Sequence, residues 1–275
     1  MAETLPSLPA SVPAAARAWL EQSCQAVRGA DGGQLPVLFP SLPRRIGREP
    51  CAPAWHGGGG ILVHLGGLRA CDLAAVHLLA AARPGAGTLL DLFLRGDLEE
   101  RTMVLRSRAF APVDATTLRL LDEAQRSNML PVFEAATCDS NLLARAHAWP
   151  EFGVEGFNRM LLKVAFLGLP LRRVIEAETH ANAELSRMLQ DLASEREAAG
   201  RAVWPDTYRL IARAPVAGTL ARLAGGLEHG ADELRMAAAE GALLAGRPEL
   251  VPFARERLAR EPRAEIRAVL ERLSH

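Results

Sequence analysis

The chain has 275 residues, 49% of them hydrophobic, with 32 basic and 32 acidic residues and a formal net charge of zero. That length suits one large or two small domains and lets roughly three quarters of the unfolded surface be buried, so folding requires neither disulfides nor a metal. The balanced charge argues against nucleic acid as a main partner, since backbone binding needs a clear basic excess.

Residues 1–12 read as a loose tail. The opening stretch MAETLPSLPASVPAAARAWL lacks the basic n-region and continuous apolar h-region of a signal peptide. A first helix is expected from Pro13, with Ser11 as cap candidate, to Gly29. Residues 30–60 carry DGG, several prolines and Gly57–Gly60, and read as an irregular surface loop holding at most a short helical turn. The glycine run lacks the Lys-Ser/Thr of a phosphate-binding loop, so it reads as a flexible connector.

From Leu62 the pattern becomes helices separated by short breakers. LGGLRACDLAAVHLLAAARPG and TLLDLFLRG come first, closed by Pro84-Gly85 and Gly96. DLEERTMVLRSRAF follows, with Asp97 and Glu100 at capping-box spacing. In DATTLRLLDEAQRSNMLPVFEAAT, Asp114 caps and Pro131 kinks or divides the helix. GFNRMLLKVAFLGLP is apolar nearly all round and reads as a buried central helix. A long helix from Leu171 to Ala199, ended by Gly200, would span ~40 Å. From Pro215, GTLARLAGG, ADELRMAAAEGALLAG, PELVPFARERLAREP and RAEIRAVLERL read as antiparallel helix hairpins. The expected fold is therefore all-α: one helical domain over residues 1–275, an irregular HEAT-like solenoid or helical bundle with no significant sheet. Arg and Glu interrupt every apolar run, so no membrane span is expected. The scattered Cys24, Cys51, Cys71 and Cys138 form no CxxC pair, which fits reduced thiols in a cytoplasm.

Candidate chemistry centres on the 171–199 segment. Ile175, Leu185, Met188, Leu189 and Leu192 form an apolar stripe, and extending it catches Glu178, Asn182, Glu195 and Arg196. A charge on a buried stripe is a structural ion pair or part of a site. Lys163 is the single lysine among the basic residues. It is a member of an ordinary Glu155–Arg159–Lys163 charge ladder or a titratable amine with a purpose. Asn158, with Glu134, Cys138 and Asn141 of PVFEAATCDSN near Trp149, could converge on it. His180 lies four after Glu176, but two ligands alone do not make a metal site, and no metal or cofactor is expected. No nucleophile motif is present.

The segments FEAATCDSN, EGFNRMLLKVAFLGLPLRRVI and HANAELSRMLQDLASEREAAGRAV resemble the signature region of the EboA family, over roughly residues 97–213. NRMLLK and the later ELxRMLxDxxxERxAAGR carry the resemblance. It implies a bacterial gene cluster that also encodes a prenyltransferase-like membrane protein, a metal-dependent hydrolase, a sugar-phosphate-cyclase relative and an isomerase-like protein. Such clusters serve the making or export of small secondary metabolites. The motif positions carried over are Glu134, Asn158, Lys163, Asn182, Glu184, Arg187, Asp191, Glu195, Arg196 and Arg201, without assigned roles. The chain departs from the family pattern at His180-Ala181, where an arginine-like residue and often a proline stand, so nothing is carried to position 180.

Two functions follow. One is an accessory protein, a helical scaffold for a partner protein or a small hydrophobic metabolite, with Asn158, Lys163, Glu178, Asn182, Glu195, Arg196 and Arg201 as ligand-binding candidates. The resemblance allows contact with the membrane-embedded prenyltransferase-like protein. The other is an enzyme using Lys163 with Glu134 or Glu195 for proton transfer.

Overall fold

The computed structural model describes residues 5–28 and 33–274. The expected helix end at Gly29, the Asp31-Gly32 pair and residues 1–4 of the tail lie outside the described residues. The chain forms two compact units, Met1–Phe157 with Arg172–Ile175, and Asn158–Leu171 with Glu176–His275. Among the described residues it is all-α apart from one short two-stranded hairpin, as its helix-forming composition predicts.

The first unit holds α1 (Ala14–Ala26), the short helices α2 (Leu35–Leu38) and α3 (Leu42–Ile46), and the strands β1 (Trp55–Gly58) and β2 (Ile61–His64). It continues with α4 (Ala70–Ala82), α5 (Ala86–Arg95), α6 (Leu98–Arg108), α7 (Ala115–Arg126), α8 (Leu130–Thr137) and α9 (Leu142–His147). The stretch expected as irregular loop is thus more ordered than its composition suggests. Gly59 and Gly60, at φ 52° and 84°, make the tight hairpin turn that only glycine accepts without strain.

Helix boundaries follow local chemistry closely. Asp97 and Glu100 form the reciprocal capping box, at 2.9 and 2.6 Å. Asp114 accepts the Thr117 backbone N–H at 2.7 Å. Each cap contributes about 1 kcal/mol. Pro131 divides rather than kinks: α7 ends at Arg126, and the proline sits in the first turn of α8, where its missing N–H costs nothing. α4 packs on α6 and α6 on α8, with α1 and α3 against α4. At the start of α4, Asp72 is fully buried and accepts the Arg69 backbone N–H at 2.7 Å. Its carboxylate also pairs with the Arg69 and Arg106 guanidinium groups.

α10 (Gly153–Leu167) begins in the first unit and continues into the second. It is amphipathic rather than apolar on every side: Phe157, Met160, Leu161 and Val164 are buried, whereas Phe166 and Leu167 are exposed. The expected long helix is also corrected. Leu171–Arg173 and Ala177–His180 are separate 3-10 turns, and only α11 (Ala183–Ala198), about 24 Å long, is a continuous helix. Glu176 takes a left-handed conformation at φ 63°, and Asn182 is extended, its side chain accepting the Leu185 N–H at 3.0 Å. An N-cap at 182 starts a helix there and breaks any register carried back to 171. Gly200, at φ 64°, closes α11 as expected.

The second unit continues with α12 (Thr207–Arg213), α13 (Thr219–Leu227), α14 (Asp232–Ala245), α15 (Val251–Leu258) and α16 (Ala264–Leu273). α12, α13 and α16 all pack on α14. Small residues permit this: Ala238, Ala239 and Ala242 are fully buried. A Cβ on Gly226 would lie 2.6 Å from the Tyr208 ring and 2.7 Å from Ala238 Cβ, so this glycine sets how closely the helices approach.

Arg235 and Glu261, 5% and 2% exposed, form a buried pair at 3.0 Å. Burial pushes the Glu261 carboxyl up. Hydrogen bonds from Arg235, the Arg263 backbone and Arg257 outweigh that and hold it at about 2, below its ordinary 4.5. Because the folded value is the lower one, this stabilisation is complete above about pH 4.5 and is lost as pH falls through about 2. Glu261→Gln should cost about 3 kcal/mol at neutral pH by leaving the buried Arg235 with only the partly exposed Asp232 as counter-charge, and should flatten the acid limb. Urea unfolding of parent and variant at about pH 7 and about pH 2.5 reads both effects.

Candidate functional site

Three non-helical segments of the first unit meet at one junction. Asp139 takes a left-handed conformation, φ 62°, just after α8. Its N–H donates to the Arg173 carbonyl at 2.6 Å, and its carbonyl accepts the His64 N–H at 2.8 Å. Ser140 bridges Val63 on one side and Val174 on the other. Asn141 continues the seam. Its Oδ1 accepts the Leu62 N–H at 3.0 Å and its Nδ2 donates to the Gly60 carbonyl at 2.9 Å. The hairpin, the Asp-Ser-Asn turn and residues 173–174 thereby satisfy one another's backbone groups.

Side chains reinforce the seam. The Arg173 guanidinium donates to both Asp139 carboxylate oxygens, at 3.2 and 2.7 Å, and to Glu134 Oε1 at 2.7 Å. The hydrogen bond to Asp139 is the main cause of a rise in the Arg173 pKa, so its charge is permanent. A Cβ on Gly67 would collide with the Asp139 carboxylate, so glycine is required where that loop passes. Burial pushes the Cys138 thiol up to about 11, which leaves it protonated and unreactive. Glu134, Cys138 and Asn141 therefore share one junction, whereas Trp149 lies exposed.

The second unit uses its candidates differently. Asn158 of α10 is buried and exchanges two amide hydrogen bonds with Asn182, at 3.1 and 2.8 Å. The same Asn182 Oδ1 caps α11, so one side chain starts the helix and ties it to α10. Glu178 lies in a 3-10 turn, not on the α11 stripe. Its carboxylate takes Arg209 at 2.5 Å and Arg213 at 3.1 Å. Glu195 is exposed: the buried face of α11 is Leu185, Ser186, Leu189 and Ala193, and Met188, seven residues before Glu195, is only partly buried. Arg196 donates to the Ala202 and Phe166 carbonyls, and Arg201 is exposed. Glu184, Arg187 and Asp191 form a surface ladder, with ion pairs of 2.6 and 2.8 Å. Lys163 is half-buried, and desolvation lowers its pKa. His180 closes its 3-10 turn, and the left-handed Glu176 removes the helical i, i+4 relation between them. Among the described residues no cluster of three or more His, Cys, Asp or Glu could hold a metal ion.

Sequence reasoning missed Asp139 and Arg173. A polar Asp-Ser-Asn run directly after a helix is a turn signal, and Asp tolerates the left-handed region. Nothing local points to Arg173 as its partner.

Residues 82–212 match the family model described as metabolite traffic protein EboA, so this stretch of the chain is an EboA domain. It contains the Asp139–Arg173 junction, the Asn158–Asn182 pair and all of α11. No curated protein and no solved structure matches the chain. Among the described residues no helix is long and apolar enough to cross a membrane.

The junction yields a direct test. Arg173→Lys keeps the charge but cannot present a fork to Asp139 and reach Glu134 together, so it should lower stability by about 1–3 kcal/mol. A urea midpoint for Arg173→Lys equal to that of the parent would show that the fork contributes nothing.

Proposed function

We propose that this EboA-domain protein acts in metabolite traffic as an accessory binding protein rather than as the catalyst of a step. The observation that carries this reading is how several of the polar candidate residues are used. Glu134 is taken up by Arg173, Glu178 by Arg209 and Arg213, and the two asparagines by each other. A general base must be within reach of a substrate proton at ~3 Å. Carboxylates held in arginine forks are committed to the fold instead. Consecutive packed helices, α13 on α14 and α15 on α16, supply the kind of surface that helical-repeat proteins use for docking. All four cysteines are free thiols, three of them buried, in keeping with a reducing, cytoplasmic setting. The partner in this reading is a protein of the same pathway or the transported metabolite itself.

One observation favours an enzymatic reading: the amine of Lys163 is partly desolvated and its pKa is lowered, as a catalytic lysine requires. Lys163→Arg separates the two, because arginine keeps the charge and cannot give up its proton. The accessory reading predicts metabolite output within about two-fold of the parent in the native host, a change of under ~0.5 kcal/mol in any coupled step. Output abolished while folding and partner capture stay normal would overturn it. Native mass spectrometry of the tagged protein, gently purified from its host, then identifies the partner or metabolite retained.

A further inference from the structure

Within the second unit, α11, α12 and α13 enclose a cleft of about 490 Å³, within the range of small-molecule sites. Its space comes from glycine: Gly218 and Gly225 line it, and a Cβ on Gly225 would meet no atom within 4 Å. Tyr208, the chain's single tyrosine, lies at its base. The residue is 2% exposed, its ring wedged against Gly226, and its hydroxyl has no hydrogen-bond partner among the described residues. Among the described residues the buried side-chain polar atom without a partner is Ser186 Oγ, so the Tyr208 hydroxyl opens onto the cleft and is available there for a hydrogen bond. Burial raises the phenol's pKa, against the pull of Arg222 and with the push of Glu197, so the hydroxyl stays protonated and can donate.

The other walls define what fits. Arg222 pairs with Glu197 at 3.0 Å and donates to Ser194 Oγ at 2.7 Å. Asp191 is balanced by Arg187. His229 Nδ1 accepts the Ala231 N–H at 3.0 Å, which places its ring proton on Nε2 as a donor. Gln190 donates to Thr219, leaving its amide oxygen as an acceptor beside Gly218. The cleft thus offers both donors and acceptors, its charges paired internally, with Ala221 as its one aliphatic side chain. A hydrophobic molecule would cover the Tyr208 hydroxyl, the Gln190 amide oxygen and the His229 ring nitrogen without pairing them, and the walls hold no unbalanced charge to select an ion.

We infer that the α11–α13 cleft is a binding site for a small, uncharged, hydroxyl-rich molecule, with the Tyr208 hydroxyl as its innermost donor. The inference deepens the binding-protein reading above and rests on it. It names an uncharged, hydroxyl-rich ligand where the sequence reading expects a partner protein or a small hydrophobic metabolite.

Saturation-transfer NMR on the full chain tests it, using myo-inositol and D-sorbitol as probes, with putrescine and citrate as charged controls. The expected result is transfer to the polyols alone. Tyr208→Phe removes only the hydroxyl and should weaken binding about five- to ten-fold, the loss of one hydrogen bond. Gly225→Leu places a side chain in the open space on a helix that favours leucine over glycine, and should abolish binding with an unchanged melting temperature. Polyol signals that survive Gly225→Leu, transfer to putrescine or citrate instead, or no transfer to any probe would each overturn the proposal. A molecule of another class retained in the native mass spectrum would then leave the binding-protein reading standing. An empty cleft in a protein whose Lys163→Arg variant abolishes metabolite output would remove both.

Discussion

The clamp between Asp139 and Arg173 is the constraint on which the first unit depends. Helices satisfy their own backbone groups, but the hairpin, the turn after α8 and residues 172–175 cannot, and buried unpaired amides cost too much to leave. Asp139 addresses this twice over, giving its N–H to the Arg173 carbonyl and its carboxylate to the Arg173 guanidinium. The left-handed backbone at Asp139 is what lets one residue face Arg173 with both groups while its carbonyl turns to His64. Asn141 and Ser140 extend the same seam, so a run of three polar residues holds together segments that share no local periodicity.

Arginine serves this purpose throughout the chain. Arg145 donates to the carbonyls of Ala109 and Ala111, both at 2.7 Å, closing the exposed end of α6. Arg267 reaches Leu258 at 2.9 Å, and Arg17 holds the Val12 carbonyl at 3.1 Å. A planar fork with five donors can hold a carboxylate and a carbonyl together, which an ammonium does less well. In a chain with no net charge and a strong arginine bias, many of the guanidinium groups are thus spent internally, on carboxylates and helix ends. It also sets Lys163 apart, as the one basic residue unable to act in that way.

The second unit distributes order and space differently. Its core closes around α14 through alanine and glycine contacts and the buried Arg235–Glu261 pair. Beside α13 the same use of glycine leaves a cleft instead of a contact. Gly226 is filled by the Tyr208 ring, whereas Gly225, one residue earlier, faces open space. A rigid tyrosine held from behind by a close-packed core is a pre-organised hydrogen-bond donor, which lowers the ordering cost of binding. Structural asparagines at one end of α11 and an open polar cleft farther along it give one helix both roles.

What the sequence determined by itself were the features whose energies are local. Asp97, Asp114, Pro131 and Gly200 act on backbone groups within four residues, so the helix boundaries they set and the all-α class could be read directly from the chain. The EboA stretch was legible for the same reason, because its motif is a linear pattern. The fate of the candidate residues was not. Arg173 meets Asp139 and Glu134 across 34 and 39 residues, and Asn158 meets Asn182 across 24. Glu195 was placed on a buried stripe through Met188, seven residues earlier on α11, but the buried face of that helix runs through Leu185, Leu189 and Ala193, with Met188 at its margin. Tyr208 carries no motif at all; its importance comes from what surrounds it. Caps and breakers are decided by a residue's own chemistry, whereas burial, pairing and open space depend on which distant segments the packed core brings together, and only the tertiary structure decided that.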